Sequence, residues 1–192
     1  MSLTGNLLGN ANLARVYAAS TPQESQQAYD EWASNYDADM IEQGYTAPAS
    51  CAKAIEAHGS INGAILDAGC GSGAIGLELS KLGAKTIDGI DFTDLSDVLD
   101  IPDALYDAMI CVGTLTQGHV GPKPALSEFV RVVKSGGVIV ATVLETIWEK
   151  DGYDAEVERL VKEGKVYLVS NEVQQYRKYA GVGGRVLILK RL

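Results

Sequence analysis

Residues 65–79 read ILDAGCGSGAIGLEL, and they carry the strongest signal for the fold. It opens with a short apolar run that predicts a buried strand, and the spacing of Ile75, Leu79 and Leu82 predicts a helix after it. Glycines fill the connection between the two elements. A glycine-rich turn of this kind lets a ligand approach the backbone N–H groups at a helix N-terminus. The sequence therefore predicts a ligand-binding loop between a first strand and a first helix.

Two overlapping sets of glycines compete for this role. Residues 71–76 spell GxGxxG, as in a dinucleotide-binding loop, whereas Gly69, Gly71 and Gly73 lie directly behind Asp67. An exposed carboxylate at the end of the strand would repel the pyrophosphate of NAD. It suits S-adenosylmethionine, which carries an ammonium and a sulfonium group. The charge of Asp67 therefore favours S-adenosylmethionine as the ligand.

Asp91 and Gly76 carry separate predictions. Asp91 closes the next predicted strand, eighteen residues after Gly73. A carboxylate at that place can accept hydrogen bonds from both ribose hydroxyls, which fits either ligand. Gly76, the last glycine of the GxGxxG, lies inside the predicted helix, and we expect it to serve helix packing.

The rest of the chain predicts a doubly wound α/β fold. The apolar runs KTIDGIDF, YDAMICVG and VIVATVL alternate with helical stripes, the rhythm of a parallel sheet covered by helices on both faces. Near the C-terminus, KVYLVS and RVLILK predict two antiparallel strands. We therefore expect a Rossmann-like, mostly parallel sheet that ends in an antiparallel hairpin.

The N-terminal part predicts an arm followed by a helical lid. Residues 1–20 are small and polar, and residues 21–192 form the predicted single domain, with 21–58 as its lid. Thr21 and the proline after it are typical of a helix start. Four residues then recur at the spacing of one helical face and predict a single helix: Tyr29, Trp32, Tyr36 and Met40. A second helix is predicted to end at Gly59.

Composition excludes several classes of partner. The formal net charge of −9 argues against nucleic acid or an anionic membrane surface, because both are polyanions. The three cysteines are widely spaced and form no cluster with histidine, which predicts reduced thiols in a cytoplasmic protein and no metal site. No segment approaches the roughly 18 apolar residues of a membrane helix, and we expect no signal peptide.

Several segments resemble one enzyme family. ILDAGCGSGAIGLELSKLGAKTIDGIDF resembles the first motifs of the class I S-adenosylmethionine-dependent methyltransferases, and the terminal hairpin is similar to the reversed hairpin of that family. AYDEWASNYDADM and DALYDAMICVGTLTQGHVGPKPALSEFVRVVKSGGVIVATV are similar to a narrower group, the methyltransferase-like proteins related to the Williams–Beuren syndrome region protein. The resemblance extends from about residue 16 to the C-terminus.

The resemblance implies a set of cofactor-binding residues. Asp67, Gly69, Gly71 and Gly73 would contact the methionine end, and Asp91 would bind the ribose. Phe92, Asp94 and Leu95 would contact the adenine. Cys111, Gly113 and Thr114 would lie near the transferable methyl group.

It also implies residues for the acceptor. Tyr29, Trp32 and Tyr36 match a lid and Tyr45 a neighbouring aromatic residue, so Trp32 and Tyr45 would contact the substrate and Tyr36 would take part in catalysis. Aromatic residues at helical spacing are also typical of simple packing, and that alternative stays open. His119, in the glycine-flanked loop TQGHVG, is the candidate base if the acceptor must lose a proton; otherwise it only makes local hydrogen bonds.

One segment departs from the family pattern. Only fourteen residues, FTDLSDVLDIPDAL, separate Asp91 from the strand that begins near Tyr106. A full βαβ unit takes about 30 residues, so one strand–helix unit is predicted to be missing, through a natural or an engineered deletion. The strand at 85–91 then becomes a sheet edge, and we expect either a homodimer through that edge or a loop that covers it. One wall of the adenine pocket is expected to be rebuilt or weakened.

These observations predict methyl transfer from S-adenosylmethionine to a small-molecule acceptor. An alternative from another class is a methyltransferase scaffold, natural or engineered, that has lost useful cofactor affinity. An NAD-dependent oxidoreductase rests on the GxGxxG alone.

Overall fold

The sheet has the predicted architecture. The computed structural model describes residues 10–19, 21–116, 120–179 and 181–192, and within them six strands form one sheet. The strands are β1 Ala64–Ala68, β2 Thr86–Ile90, β3 Tyr106–Leu115, β4 Val133–Leu144, β5 Val166–Arg177 and β6 Val182–Arg191. Their order is β2-β1-β3-β4-β6-β5, with β1 to β4 parallel and β6 antiparallel to β4 and β5. The expected Rossmann-like, mostly parallel sheet with a C-terminal antiparallel hairpin is therefore confirmed.

Seven α-helices accompany the sheet within the same described ranges. They are α1 Ala11–Ala18, α2 Pro22–Trp32, α3 Tyr36–Glu42, α4 Ala47–His58, α5 Ala74–Lys81, α6 Ala125–Val132 and α7 Tyr153–Lys162. Thr21 caps α2 as expected, since its Oγ1 accepts a 3.2 Å hydrogen bond from the N–H of Glu24. None of these helices combines the length and the apolar composition that a membrane span requires.

The central strands carry the core. Met109 and Ile110 of β3 and Ile139 and Val140 of β4 are completely buried. Strands that are covered on both faces read as continuous apolar runs, which is why YDAMIC and VIVATVL lack polar alternation. The sheet thereby forms a rigid base for the loops at its carboxyl edge.

The lid differs from its prediction. The predicted single helix through Tyr29 and Met40 is wrong, because α2 ends at Trp32 and α3 begins at Tyr36. Ser34 and Asn35 stand at the break, and such side chains favour helix ends because they compete for backbone hydrogen bonds. The aromatic side chains nevertheless meet in a second small core, which also includes α1, the described helix of the predicted arm: Leu13, Val16, Ala28, Trp32 and Met40.

The strand β2 lies at one edge of the sheet. Residues 91–105, which join it to β3, contain one short 3-10 helix, Phe92–Ser96, and no strand. Arg131 of α6 fixes this connection, donating hydrogen bonds of 2.9 Å and 2.6 Å to the carbonyls of Leu99 and Ile101. The short connection is thus held against the sheet.

Candidate functional site

The ends of three parallel strands converge at one edge of the sheet. Asp67 of β1 pairs in register with Gly89 of β2 and with Ile110 of β3. Asp91 follows β2 directly, and Gly113 lies near the end of β3. Ligands of doubly wound sheets bind outside the carboxyl ends of the strands. The candidate site therefore lies at this edge.

Asp67 is a buried carboxyl group with an unused oxygen. Its residue is 2% exposed, and its Oδ1 has no hydrogen-bond partner among the described residues. Burial raises the pKa of the Asp67 carboxyl to about 7. A buried carboxylate is costly unless a cation or a donor satisfies it. The site is thus prepared for a cationic or hydrogen-bond-donating ligand group.

The glycines of the loop divide into two roles. Gly69 has a φ of +76°, and a Cβ there would stand 2.2 Å from Oγ1 of Thr114, which donates a 3.4 Å hydrogen bond to the Gly69 carbonyl. Gly71 and Gly73 also have positive φ angles, +49° and +81°, but a Cβ on either would meet no described atom within 4 Å. Gly69 therefore joins the loop to β3, whereas Gly71 and Gly73 border open space.

The prediction for Gly76 is wrong. A Cβ at Gly76 would meet no described atom within 4 Å, so no neighbouring element packs closely against α5 at this glycine. In a dinucleotide-binding loop the third glycine serves close contact between helix and strand. The literal GxGxxG of this chain lacks that contact, which removes the main argument for NAD.

The residues expected at the ribose and adenine occupy different environments. Asp91 is exposed, and the ring of Phe92 is half-buried with its centroid 6.1 Å from that of Tyr29 in the lid. Leu95 is 1% exposed within the main core. Asp94 belongs to the same 3-10 helix, but its side chain lies outside the described part of the structure.

Cys111, expected near the methyl group, is completely buried in β3. Burial raises the pKa of its thiol well above the ordinary value. The thiol is therefore a packing group that stays protonated.

Tyrosine hydroxyls lie over the end of β3. A Cβ on Gly113, which has a φ of +83°, would stand 2.8 Å from the hydroxyl of Tyr45 and 3.4 Å from that of Tyr176. The two hydroxyls are 3.4 Å apart. Oγ1 of Thr116 lies 3.4 Å from the hydroxyl of Tyr17 in α1. We call Tyr17, Tyr36, Tyr45 and Tyr176 the tyrosine cluster; it borders the strand end at which the resemblance places the transferable methyl group.

Tyr36 and Trp32 differ in what they present to this cluster. Burial raises the pKa of Tyr36 to about 12, so its phenol is protonated at neutral pH and is able to donate a hydrogen bond. Trp32 is 1% exposed, and its Nε1 donates a 2.6 Å hydrogen bond to Asp39. The only polar atom of the Trp32 side chain is thus already bonded within the lid. His119 lies outside the described residues.

No pattern in the sequence indicated Tyr17, Tyr176 or Arg177. Tyr176 is 131 residues from Tyr45, and Arg177, at the end of β5, is 160 residues from Tyr17, to which its Nη2 donates a 3.0 Å hydrogen bond. No local spacing reveals such pairs, because β5 and α1 meet only when the hairpin has joined the sheet.

A groove of about 440 Å³, lined by several cationic side chains, lies at the other end of the parallel strands, away from their carboxyl ends. Its principal cations are already paired, since Arg131 bonds Glu128 and Asp103, and Arg159 bonds Glu156. Among the described residues, no group of three histidine, cysteine or carboxylate side chains is placed to hold a metal ion. We therefore place the site at the carboxyl edge.

Solved structures of enzymes share this fold. The 1,6-didemethyltoxoflavin-N1-methyltransferase of Burkholderia thailandensis, solved with 1,6-didemethyltoxoflavin and S-adenosylhomocysteine, is 14% identical with a TM-score of 0.58, over 90% of this chain and 91% of that one. A SAM-dependent methyltransferase of Methanosarcina mazei is 18% identical with a TM-score of 0.51, over 72% and 96%. The [4+2]-cyclase SpnF is 17% identical with a TM-score of 0.55, over 74% and 81%.

No family model and no curated protein matches the chain. One fold can host different reactions, as the cyclase illustrates, so the similarity by itself does not assign a reaction. The chain has the Rossmann-like fold that solved S-adenosylmethionine-dependent methyltransferases share.

Proposed function

We propose that the protein is an S-adenosylmethionine-dependent methyltransferase with a small-molecule acceptor. One observation carries the proposal: Oδ1 of Asp67 is buried without a partner among the described residues, at the end of the strand that leads into the loop of Gly71 and Gly73. The ammonium group of S-adenosylmethionine matches this carboxylate, whereas the pyrophosphate of NAD does not. The acidic chain, with a net charge of −9, also favours a small acceptor over nucleic acid.

The proposed roles follow the order of the strands. Asp67, Gly69, Gly71 and Gly73 hold the methionine end, Asp91 the ribose, and Phe92, Asp94 and Leu95 border the adenine, while Cys111, Gly113 and Thr114 lie near the methyl group. When bound, the cofactor supplies a methyl group on a cationic sulfur. Tyr45 and Tyr176 then orient the acceptor beside Gly113 and exclude water, which is the main contribution a protein makes to such a displacement.

Tyr36 and His119 are proposed to act on the acceptor in different ways. The raised pKa of Tyr36 keeps the proton on its phenol, so we propose that Tyr36 holds the acceptor by donating a hydrogen bond. His119 remains the proposed base for an acceptor that must lose a proton. Trp32 supports the lid from behind and contacts the acceptor only if the lid opens.

We further propose that the chain belongs with the Williams–Beuren-related group and lacks one strand–helix unit of it. The short connection 91–105 and the edge position of β2 support this view. Residues 21–58 would form the lid of a single domain, 21–192, in a cytoplasmic protein. The exposed edge of β2 would pair with a second copy of the chain.

A non-catalytic scaffold is the second candidate, and the buried Leu95 favours it. Because this side chain is enclosed in the core, it leaves less apolar surface for an adenine ring. A scaffold of this kind would keep the fold and bind the cofactor weakly.

Titration with S-adenosylhomocysteine tests the proposal, with NAD as the control. A ligand at 100 times its Kd stabilises a native protein by about 2.7 kcal/mol. For a domain of this size that raises Tm by roughly 5–10 °C. We expect this shift with S-adenosylhomocysteine and none with NAD, in thermal unfolding and in calorimetry. A shift with neither ligand would favour the scaffold, and a shift with NAD alone would overturn the methyltransferase.

A further inference from the structure

Arg177 is a buried arginine that lacks a counter-charge among the described residues. The residue is 1% exposed, and Nη2 donates its 3.0 Å hydrogen bond to the hydroxyl of Tyr17. Nε and Nη1 are buried and have no partner among the described residues. An unpaired buried guanidinium is costly, and removal of a charged partner is strongly destabilising in folded proteins. A ligand that supplies the missing acceptors is the simplest reason for this arrangement.

The backbone holds Arg177 in place from both sides. Arg177 pairs with Tyr45 in an isolated antiparallel bridge. The preceding carbonyl, of Tyr176, accepts a 3.4 Å hydrogen bond from Thr46, and the following N–H, of Lys178, donates one of 3.1 Å to Gly44. The end of β5 is thus fixed to the segment between α3 and α4, so the guanidinium has a defined position.

That position lies among the residues assigned to the acceptor. The guanidinium carbon stands 5.6 Å from the ring centroid of Tyr17. The charge of Arg177 also acts on the phenols of Tyr29 and Tyr36, where it lowers pKa values that burial raises. Tyr45, the bridge partner of Arg177, places its hydroxyl at Gly113. Arg177 therefore lies beside the tyrosine cluster.

We propose that Arg177 binds an anionic oxygen group, a carboxylate or a phosphate ester, on a methyl acceptor whose body is a flat ring. This inference rests on the proposed methyltransferase function and specifies its substrate class. A guanidinium has five N–H donors in a planar arrangement that matches carboxylate and phosphate groups. The tyrosine rings around it suit a flat apolar body. The acceptor is thus an acidic small molecule, although the protein itself is acidic.

Calorimetric titration with three ring compounds tests the proposal. Benzoate and phenyl phosphate carry the two anionic groups, and benzamide is the neutral analogue of benzoate. We expect the wild-type protein, saturated with S-adenosylhomocysteine, to bind at least one anion more tightly than benzamide by roughly tenfold to a hundredfold, the usual contribution of charge-assisted hydrogen bonds. The preferred anion identifies the group. Equal binding of anions and amide, or binding of none, overturns the proposal.

Three variants locate the effect. We expect R177Q to lose the preference for the anion and R177K to retain part of it. K178Q removes an exposed positive charge from the next residue of the same chain segment, and we expect it to behave as the wild type. A preference that survives in R177Q, or disappears equally in K178Q, overturns the proposal. If R177Q does not fold, the comparison of anions with benzamide in R177K and K178Q decides.

The design separates this inference from the proposed function. S-adenosylhomocysteine is titrated first, and each ring compound is also titrated without it. Arg177-dependent binding of an anion by a protein that does not bind S-adenosylhomocysteine supports the anion site and contradicts the methyltransferase. Binding of S-adenosylhomocysteine without any preference for the anions supports the methyltransferase and overturns the anion site.

Discussion

Ser72 in the glycine loop donates a 2.7 Å hydrogen bond to Oδ1 of Asp37 in α3. This bond joins the loop that borders the open space at Gly71 to the lid above it. The contact between Tyr29 and Phe92 joins the lid to the start of the connection that follows β2. The lid is therefore closed over the candidate cofactor site, and its closure can be probed from a single exposed hydroxyl.

Ser72→Ala should weaken S-adenosylhomocysteine without unfolding the protein. Loss of an exposed hydrogen bond costs about 0.5–1.5 kcal/mol, and if the ligand requires the closed lid its Kd rises by roughly twofold to tenfold. Ser80→Ala is the matched control, since Ser80 is an exposed serine of α5 whose hydroxyl donates a 2.7 Å hydrogen bond to the Gly76 carbonyl of its own helix. Calorimetry measures both Kd values. A Kd equal to that of the wild type would mean that the lid does not gate the ligand.

Asp67→Asn should stabilise the protein at neutral pH. Because the folded pKa of about 7 lies above the unfolded value, ionisation of Asp67 opposes folding. The protonated carboxyl group contributes its full stabilisation below the unfolded pKa. That contribution is lost as the pH rises through 7, at about 1.4 kcal/mol per pH unit at most. The free energy of unfolding of the wild type should decline between about pH 4 and 7, and we expect Asp67→Asn to remove this decline. At pH 8 the free energy of unfolding of Asp67→Asn should exceed that of the wild type by about 1–3 kcal/mol.

Chemical denaturation across this pH range measures the effect. Asp100→Asn, an exposed aspartate of the connection between β2 and β3, is the control and should follow the wild type. If Asp67→Asn and the wild type show parallel pH profiles, Asp67 is not the titrating group.

The affinity for S-adenosylhomocysteine should rise with pH through about 7. The ammonium of the ligand pairs with Asp67 only when the carboxyl group is ionised, and the pKa of Asp67 is about 7 before binding. Adenosine, which lacks the ammonium, should bind independently of pH in the same range. Calorimetric titrations at several pH values compare the two ligands. Identical pH dependence would remove Asp67 from the ammonium site.

Gly71→Ala and Gly76→Ala should have opposite effects. Gly71→Ala places a methyl group in the open space and costs roughly 1–2 kcal/mol because of its positive φ, so we expect loss of S-adenosylhomocysteine binding. Gly76→Ala adds a methyl group in open space on a helix, which should stabilise by about 0.5–1 kcal/mol and leave the Kd unchanged. Thermal unfolding and calorimetry give both values. Weaker binding of S-adenosylhomocysteine in Gly76→Ala would mean that the space beside Gly76 belongs to the ligand site.

The edge of β2 should mediate a homodimer. The Ile90 carbonyl accepts a hydrogen bond from Gly69, so the backbone groups of Ile87 and Gly89 point away from β1 by the alternation of a strand. Light scattering should give twice the chain mass of 20.4 kDa. Ile87→Pro removes an outward N–H and should yield monomers, whereas Ile87→Ala keeps that N–H and should remain dimeric. A monomeric wild type at every concentration would contradict the dimer.

The fold was predictable because its signals are local. Each element can be predicted from a few neighbouring residues. The signals are the glycines before α5, the apolar runs of the central strands and the alternating residues of the C-terminal hairpin. The lid was predicted less well, since the periodicity that continues from Trp32 to Tyr36 does not reveal the break at Ser34 and Asn35. The spacing still identified side chains that pack together, because a turn between short helices can preserve a shared face.

Short-range patterns were enough to predict the strand, the glycine loop and the acid Asp67, because the φ angles of glycine and the position of a charge after an apolar run are local properties. The packing of the folded chain was needed to show that Gly76 lies in open space and that Oδ1 of Asp67 has no described partner. It alone brought Tyr17, Tyr45 and Arg177 together, from segments up to 160 residues apart. Burial and the pairing of distant side chains depend on how the whole chain packs, and no local pattern encodes them.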